Sequence, residues 1–291
     1  IITLSHDKFT LIKSTDDISS LDIKNTLGVV LGMENGAPVE GDLSRVQFFY
    51  DRGIRYITLT HSKTNHISDS SYDENIQWGG LSDFGKQLIE EMNSVGIMVD
   101  ISHVNDDAFY QAIEISNTPV IASHSSLRHF TPGFERNVDD EMLKALAKKG
   151  GVIQINFGSS FITEAPGLYF DKIKKYINDQ VIDLKNASKE DIDKVRAEFM
   201  SKNPFPYANV SLVADHIDRV VFLVGIDHVG LGSDFDGVGD SLPEGLKDVS
   251  MYPNLIKELL NRGYKKEDIR KILSGNLLRV WKQVESYARE N

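Results

Sequence analysis

Three histidines stand where an apolar run of strand-forming residues stops: RYITLTH ends in His61, IMVDISH in His103 and PVIASH in His124. Two carboxylates share that placement, Glu34 after GVVLGM and Asp234 after HVGLGS. Neutral imidazole nitrogen and carboxylate oxygen, delivered by rigid elements, are the ligand set of borderline divalent cations, and a set rich in histidine suits Zn²⁺ over Ca²⁺ or Mg²⁺. A lone histidine beside an apolar run is ordinarily a core or cap residue. Five polar ends sharing one pattern point instead to a common rim. The chain has no cysteine, so disulfides, thiolate nucleophiles and Cys-type zinc sites are excluded. Other chemistry lacks its motif. In SDFDGVGD the glycine stands too close to the first aspartate for an EF-hand, GLSDFG misses the serine-hydrolase elbow, and GLGSDFDG lacks dinucleotide spacing.

The elements that must position these residues repeat one grammar: an amphipathic stretch, a glycine, a short apolar run and a polar loop. LSRVQFFYDRG precedes IRYITLTH, LSDFGKQLIEEMNSVG precedes IMVDISH, and DDEMLKALAKKGG precedes VIQINF. In the second, Leu88, Ile89, Met92 and Val95 fall on one helical face after a cap at Ser82, and Gly96 sits where a left-handed terminator is wanted. Gly53 and Gly150 repeat that role. The apolar runs are nearly continuous in Val, Ile and Leu, as in parallel strands covered on both faces, and their alternation with helices means an α/β fold.

Six strands are expected, at 28 to 33, 56 to 60, 97 to 101, 119 to 123, 152 to 156 and 228 to 233. Loops after the strand ends form the active face of such folds, so the five polar ends would meet there. Asp100, three residues before His103, falls on the opposite face of a regular strand and reads as packing support. A (β/α) barrel closes with eight strands, so either the sheet is open or the first one or two βα units are absent from this chain. A charged helical insertion near 162–206 interrupts the rhythm, with a cap at Ser188, and helices close the chain over 251–288. Residues 1–291 read as a single domain.

At 291 residues with 41% hydrophobic content the chain can bury a sizeable core. A formal charge of −11 opposes nucleic acid and acidic lipid as partners. No apolar stretch is long enough to span a membrane, and IITLSHDKFT lacks the features of a signal peptide.

The stretches GMENGAPVEG, RYITLTHSKTN, GLSDFGKQLIEEMNSVGIMVDISHV, TPVIASHSS with ERNVDD, HVGLGSDFDGV and KILSGNLLRVW, in that order, resemble the membrane (renal) dipeptidase family of zinc peptidases, including its bacterial members. The likeness runs from about residue 9 to residue 282. It implies a (β/α)₈ TIM-type barrel of the metal-dependent hydrolase kind, with two zinc ions sharing one carboxylate. Glu34 would be the bridging carboxylate, and His103 and His124 terminal ligands of one metal. Family members hold the second metal with a His-x-Asp pair on the first barrel strand. No such pair is found: His6 and Asp7 are adjacent and follow no buried strand. This agrees with the strand count and gives the expectation that the N-terminal units are missing from this chain, the rival being a relative that has lost half its metal site.

The activity so implied is hydrolysis of dipeptides by a metal-bridging hydroxide, with dipeptides carrying a D-residue at the second position among the candidate substrates. Asp234 would take the water's proton and pass it to the departing amine, and His61 would donate a hydrogen bond to the substrate carbonyl or its oxyanion. Arg136, in ERNVDD, would clamp the terminal carboxylate; a surface ion pair with Asp139 or Asp140 is its plainer alternative. His66 and His129 are candidates for the rim, while His216 sits in a helical pattern and His228 begins its strand. The rival functions are another binuclear metal-dependent amidohydrolase acting on a cyclic amide, lactone or phosphoester, and a catalytically impaired peptide-binding relative. A homodimer is the candidate assembly. The resemblance leans toward the periplasm or cell envelope over the cytoplasm.

Overall fold

The computed structural model describes residues 8–22, 24–180 and 187–291; His6 and Asp7 lie outside the described residues. The first two strands, β1 (Phe9–Leu11) and β2 (Leu27–Val29), form a small parallel pair flanking α1 (Thr15–Ser20). The main sheet has six strands: β3 (Leu31–Glu34), β4 (Ile54–Thr58), β5 (Met98–Asp100), β6 (Ile121–Ser125), β7 (Val152–Ile155) and β8 (Val229–Leu231). Every pairing is parallel and follows chain order. Strictly sequential parallel pairing is the order of a barrel wall, whereas a doubly wound sheet reverses at a switch point. Among the described residues β3 and β8 are the two ends of this arc.

The helices that return the chain are α2 (Ser44–Asp51), α3 (Asp83–Val95), α4 (Asp106–Ile115) and α5 (Asp140–Lys148). Helix α3 shows why these segments fold as they do. The Ser82 side chain accepts from the Gly85 N–H, a start cap, and Gly96 at φ 95° donates its N–H to the Met92 carbonyl, a left-handed stop. Between them Leu88, Ile89 and Met92 are fully buried, each contributing about 1.5–3 kcal/mol of burial. Val95 is only half-buried. The core face ends instead on buried Asn93, whose amide oxygen accepts the Asn117 N–H at 2.6 Å and whose amide nitrogen donates to Thr118 Oγ1 at 3.1 Å, tying α3 to the turn that launches β6.

Two boundaries depart from the sequence reading. The run at 28 to 33 is two strands, split at Val30, and only its second half enters the main sheet. The run at 119 to 123 starts later and continues to Ser125, so His124 lies inside β6 and not beyond it. The helical insertion comprises α6 (Ser159–Ile162), α7 (Ala165–Gln180) and α8 (Lys189–Lys202), the last capped by Ser188. Helices α7 and α8 share a small core of Tyr169, Ile173, Ile177 and Phe199. The next helix, α9 (Val210–Val224), buries Val213, Ile217 and Val220 in the main core. Helices α10 (Tyr252–Asn261), α11 (Lys266–Arg270) and α12 (Asn276–Glu290) end the chain. Trp281, Val280 and Val284 of α12 pack against Ile12, Met98, Ile121 and Val152, plugging the end of the sheet opposite the strand C-termini. No helix among the described residues is long and apolar enough to cross a membrane.

His216 on α9 is fully buried. Its Nδ1 accepts the Leu127 N–H at 3.1 Å, so the proton sits on Nε2, which donates to the Ile162 carbonyl at 3.0 Å. One neutral ring thereby pins the loop after β6 and the end of α6 to the same helix. Burial pushes its pKa down to about 4, below the ordinary value of about 6.5. The unfolded chain therefore binds this proton first, and the stabilising term is complete above pH 6.5 and lost as pH falls toward 4. Urea unfolding of the wild type and His216→Gln is expected to show a stability gap that narrows by roughly 3 kcal/mol between pH 7 and pH 4; a constant gap would contradict the neutral assignment.

Candidate metal centre and substrate cavity

Strand β3 ends on Glu34, and three imidazoles from the next three strands converge on its Oε1 atom. His103 Nε2 lies 3.0 Å away, His124 Nε2 3.1 Å and His61 Nε2 3.3 Å. The His103 and His124 Nε2 atoms are 2.8 Å apart. Ligand atoms at about 2.0–2.1 Å from a shared tetrahedral cation lie roughly 3.3 Å from one another, so the cluster has the spacing and donor set of a cation shell. Among the described residues Glu34, His61 and His103 each bring a ligand atom within 4.8 Å of the others, and His124 joins through Glu34 and His103. Charge states fit as well. Hydrogen bonding from His103 holds the Glu34 carboxyl well below the usual carboxylate range. Burial pushes His103 down to about 3 against the pull of Glu34. An ionised carboxylate beside neutral imidazole is what a cation requires.

Backbone geometry aims these side chains. His103 follows β5 by three residues and takes φ 71°, a left-handed turn held by Ser71, whose N–H and hydroxyl both donate to the His103 carbonyl. In β6 the register against β7 slips between Ala122 and Ser125, and such irregularities re-aim a side chain next to a site. Behind the imidazoles, fully buried Asp100 binds four donors: Thr58 Oγ1, Ser123 Oγ, the Ser102 N–H and the Ser123 N–H, at 2.5 to 3.1 Å. It packs three strand ends together, as expected, and it sets a tautomer besides. The Ser123 hydroxyl spends its one proton on Asp100, so the contact of 2.7 Å with His124 has Nδ1–H donating and leaves the Nε2 lone pair facing Glu34. His103 Nδ1 has no partner.

Asp234 stands three residues after β8 at φ 56°. Asn156, the residue following β7, donates to its Oδ2 at 2.9 Å. A Cβ on Gly237 would meet Asp234 Oδ1 at 2.0 Å, so only glycine lets the loop wrap this carboxylate. Glu34, His61, His103, Arg136 and Asp234 line one cavity of about 400 Å³; His124, Glu34 and Asp234 also line a neighbouring one. Arg136 is almost fully buried, donating to Ser125 Oγ at 2.7 Å and to the His124 carbonyl at 2.9 Å, with its Nε unpartnered. Burial pulls its pKa down, but a guanidinium stays charged. Its expected alternative, a surface pair with Asp139 or Asp140, is not what the chain adopts: Arg128 and Arg219 take those partners.

The remaining histidines sit apart. His66 packs on Phe84 and accepts the Gly41 N–H, His129 lies beside Phe130 on the outer surface, and His228 belongs to a short 3₁₀ turn just before β8. Sequence reasoning missed Asn156, Ser123 and Tyr72. Asn156 ends the run VIQIN and carries the same strand-end signal as the others. Ser123 matters through a hydrogen bond across strands, and Tyr72 lies in an irregular loop with no periodic signal.

Sequential parallel strands with a histidine and carboxylate cluster on their C-terminal rim define a barrel-type α/β protein with a candidate metal centre. Residues 1–291 match the family model for membrane dipeptidases, peptidase family M19, and the chain belongs to that family. It is 31% identical to human Dipeptidase 3 over 291 residues, covering 99% of this chain and 50% of that protein. It is 36% identical over 276 residues to an uncharacterized dipeptidase of Schizosaccharomyces pombe, covering 94% of this chain and 57% of the relative. The crystal structure of the probable dipeptidase PvdM from Pseudomonas aeruginosa superposes with a TM-score of 0.85 at 28% identity, covering 99% of this chain and 76% of that one. The chain spans about half the length of the curated relatives it matches. Membership of a metallopeptidase family implies metal ions, and the donor set at Glu34 fits them.

Equilibrium dialysis against Zn²⁺ is expected to show Glu34→Gln binding the ion far more weakly than wild type, and Ser123→Ala weakened by about 10- to 100-fold through loss of tautomer control. Wild-type affinity in Ser123→Ala would contradict the tautomer assignment.

Proposed function

We propose that this protein is a zinc-dependent dipeptidase, with two zinc ions per intact protein. One observation carries the reading: Glu34, with the His61 and His103 imidazoles gathered on its carboxylate, lines the same cavity as a buried guanidinium that forms no ion pair with a carboxylate among the described residues. Burying a charge without a counter-ion costs several kcal/mol, so Arg136 is held ready for an anion. A dipeptide supplies one, its terminal carboxylate, whose carbon is three bonds from the scissile carbonyl carbon. A chain continuing past that residue would place an amide there, so the bond cut is the last one before a free carboxyl terminus.

Glu34, His103 and His124 would hold metal, which when bound supplies a Lewis acid and lowers the pKa of water toward neutrality. The rest of the chemistry belongs to the chain. Asp234, steadied by Asn156, accepts a proton from the attacking water and delivers it to the leaving amine. Ser62 Oγ lies 2.8 Å from His61 Nδ1; with that hydroxyl donating, His61 Nε2 keeps its proton and can donate it to the carbonyl oxygen as charge develops there. Arg136 fixes the substrate by its carboxylate, with the guanidinium fork matched to two oxygens.

Metal-loaded Asp234→Asn is expected to retain its metal and lose at least about 100-fold in kcat on a dipeptide; wild-type turnover would exclude the proton-shuttle role. Arg136→Lys is expected to lower kcat/KM about tenfold and to erase the preference for a dipeptide over its C-terminal amide. A preference that survives would exclude the clamp. A panel carrying both hands at the second residue, run beside a lactone and a phosphoester, tests the substrate class.

A further inference from the structure

Beyond the metal cavity lies a second one of about 440 Å³, and Tyr72 and Phe161 line both. Its inner wall is aromatic: Phe134 stands 5.5 Å from Phe161 edge-on and 6.1 Å from Tyr72, centroid to centroid. Its outer wall comes from the insertion. Helix α7 turns Tyr169, Ile173 and Ile177 toward α8 and leaves Leu168 and Phe170 more than half exposed, both lining this cavity. Two large apolar side chains are thus left open to solvent on a helix whose other face is packed. The inner wall does not yield, because Asn137 Nδ2 and His216 Nε2 donate to the Phe161 and Ile162 carbonyls at 2.8 and 3.0 Å. Glu164 and Asp171 are the charged residues of the lining, and it holds no cation.

We infer that this second cavity receives the side chain of the substrate's C-terminal residue and selects large apolar or aromatic ones. The inference rests on the dipeptidase reading and adds the substrate class. The Arg136 guanidinium carbon lies 5.3 Å from the centroid of the Phe161 ring. A terminal carboxylate held by Arg136 therefore sets the α-carbon of that residue against the Tyr72 and Phe161 wall, and the roomy exit from there is the second cavity. An aromatic ring entering it would stack among Tyr72, Phe134 and Phe161 and cover Leu168 and Phe170. An acidic side chain would meet Glu164 and Asp171 with nothing to offset the repulsion.

Gly167 supplies the test, because it lines the cavity and a Cβ added there meets nothing within 4 Å. In Gly167→Phe the new ring takes the space meant for the substrate. For metal-loaded wild type, kcat/KM is expected to be at least about tenfold higher for Ala-Phe than for Ala-Gly, with Ala-Glu lowest, and Gly167→Phe is expected to reduce the Ala-Phe to Ala-Gly ratio by about tenfold. Phe170→Ala, which removes one wall, is expected to lower the same ratio and serves if the first variant melts early. Turnover of all three substrates at similar efficiency, or ratios unmoved in both variants, would overturn the pocket and leave the dipeptidase reading standing. Absence of turnover on every dipeptide would overturn both.

Discussion

One carboxylate oxygen collecting three ring nitrogens is a demanding arrangement, because like dipoles crowd one point and, among the described residues, no arginine or lysine forms an ion pair with that carboxylate. Its geometry closes only if four strands in register deliver their ends to one rim. Glu34, His61, His103 and His124 come from or just after four consecutive parallel strands, each advanced to the same height by the sheet itself. Asp100 keeps that registration. By taking hydrogen bonds from β4, β5 and β6 residues at once it locks the strand ends beneath the imidazoles, and its hold on the Ser123 proton decides which nitrogen of His124 is free. A proton on His103 Nε2 occupies the place a cation would take, so metal and proton compete there. The low pKa of that ring favours the metal.

A rigid sheet sets the chemistry, whereas the loops and the insertion set what can approach it. The loop after β6 carries Arg136 back under the rim, where hydrogen bonds to Ser125 Oγ and to the His124 carbonyl tie its guanidinium to the strand that carries His124. Helix α6 and His216 fix the far wall, and α7 overhangs it. Displacement of the insertion would alter the second cavity while leaving Glu34 and its partners in place, which is how one site could change its substrate preference without changing its reaction.

Much of this was legible in the sequence because strand-end position is a local signal. The glycines at 53, 96 and 150 all adopt positive φ, the α3 face was read to within one residue, and the sheet proved parallel with helices between its strands. What the pattern could not show depends on three-dimensional neighbours. Whether Arg136 pairs on the surface or is buried was decided by Arg128 and Arg219 outcompeting it for Asp139 and Asp140. The position of His124 inside β6 follows from a register slip that hydrophobicity does not encode. Splitting of the run at 28 to 33 follows from β1 capturing its first half. Asn156 was readable, since it ends an apolar run like the others, but an amide attracts less notice than a titrating group.

The most direct measurement is anomalous diffraction at the zinc absorption edge from crystals grown with Zn²⁺. The proposed zinc-dependent reading predicts a peak at bonding distance from Glu34 Oε1, His103 Nε2 and His124 Nε2, with the two imidazole nitrogens moved apart from their direct contact. Zinc bound elsewhere, with His103 and His124 still hydrogen-bonded to each other, would contradict the account.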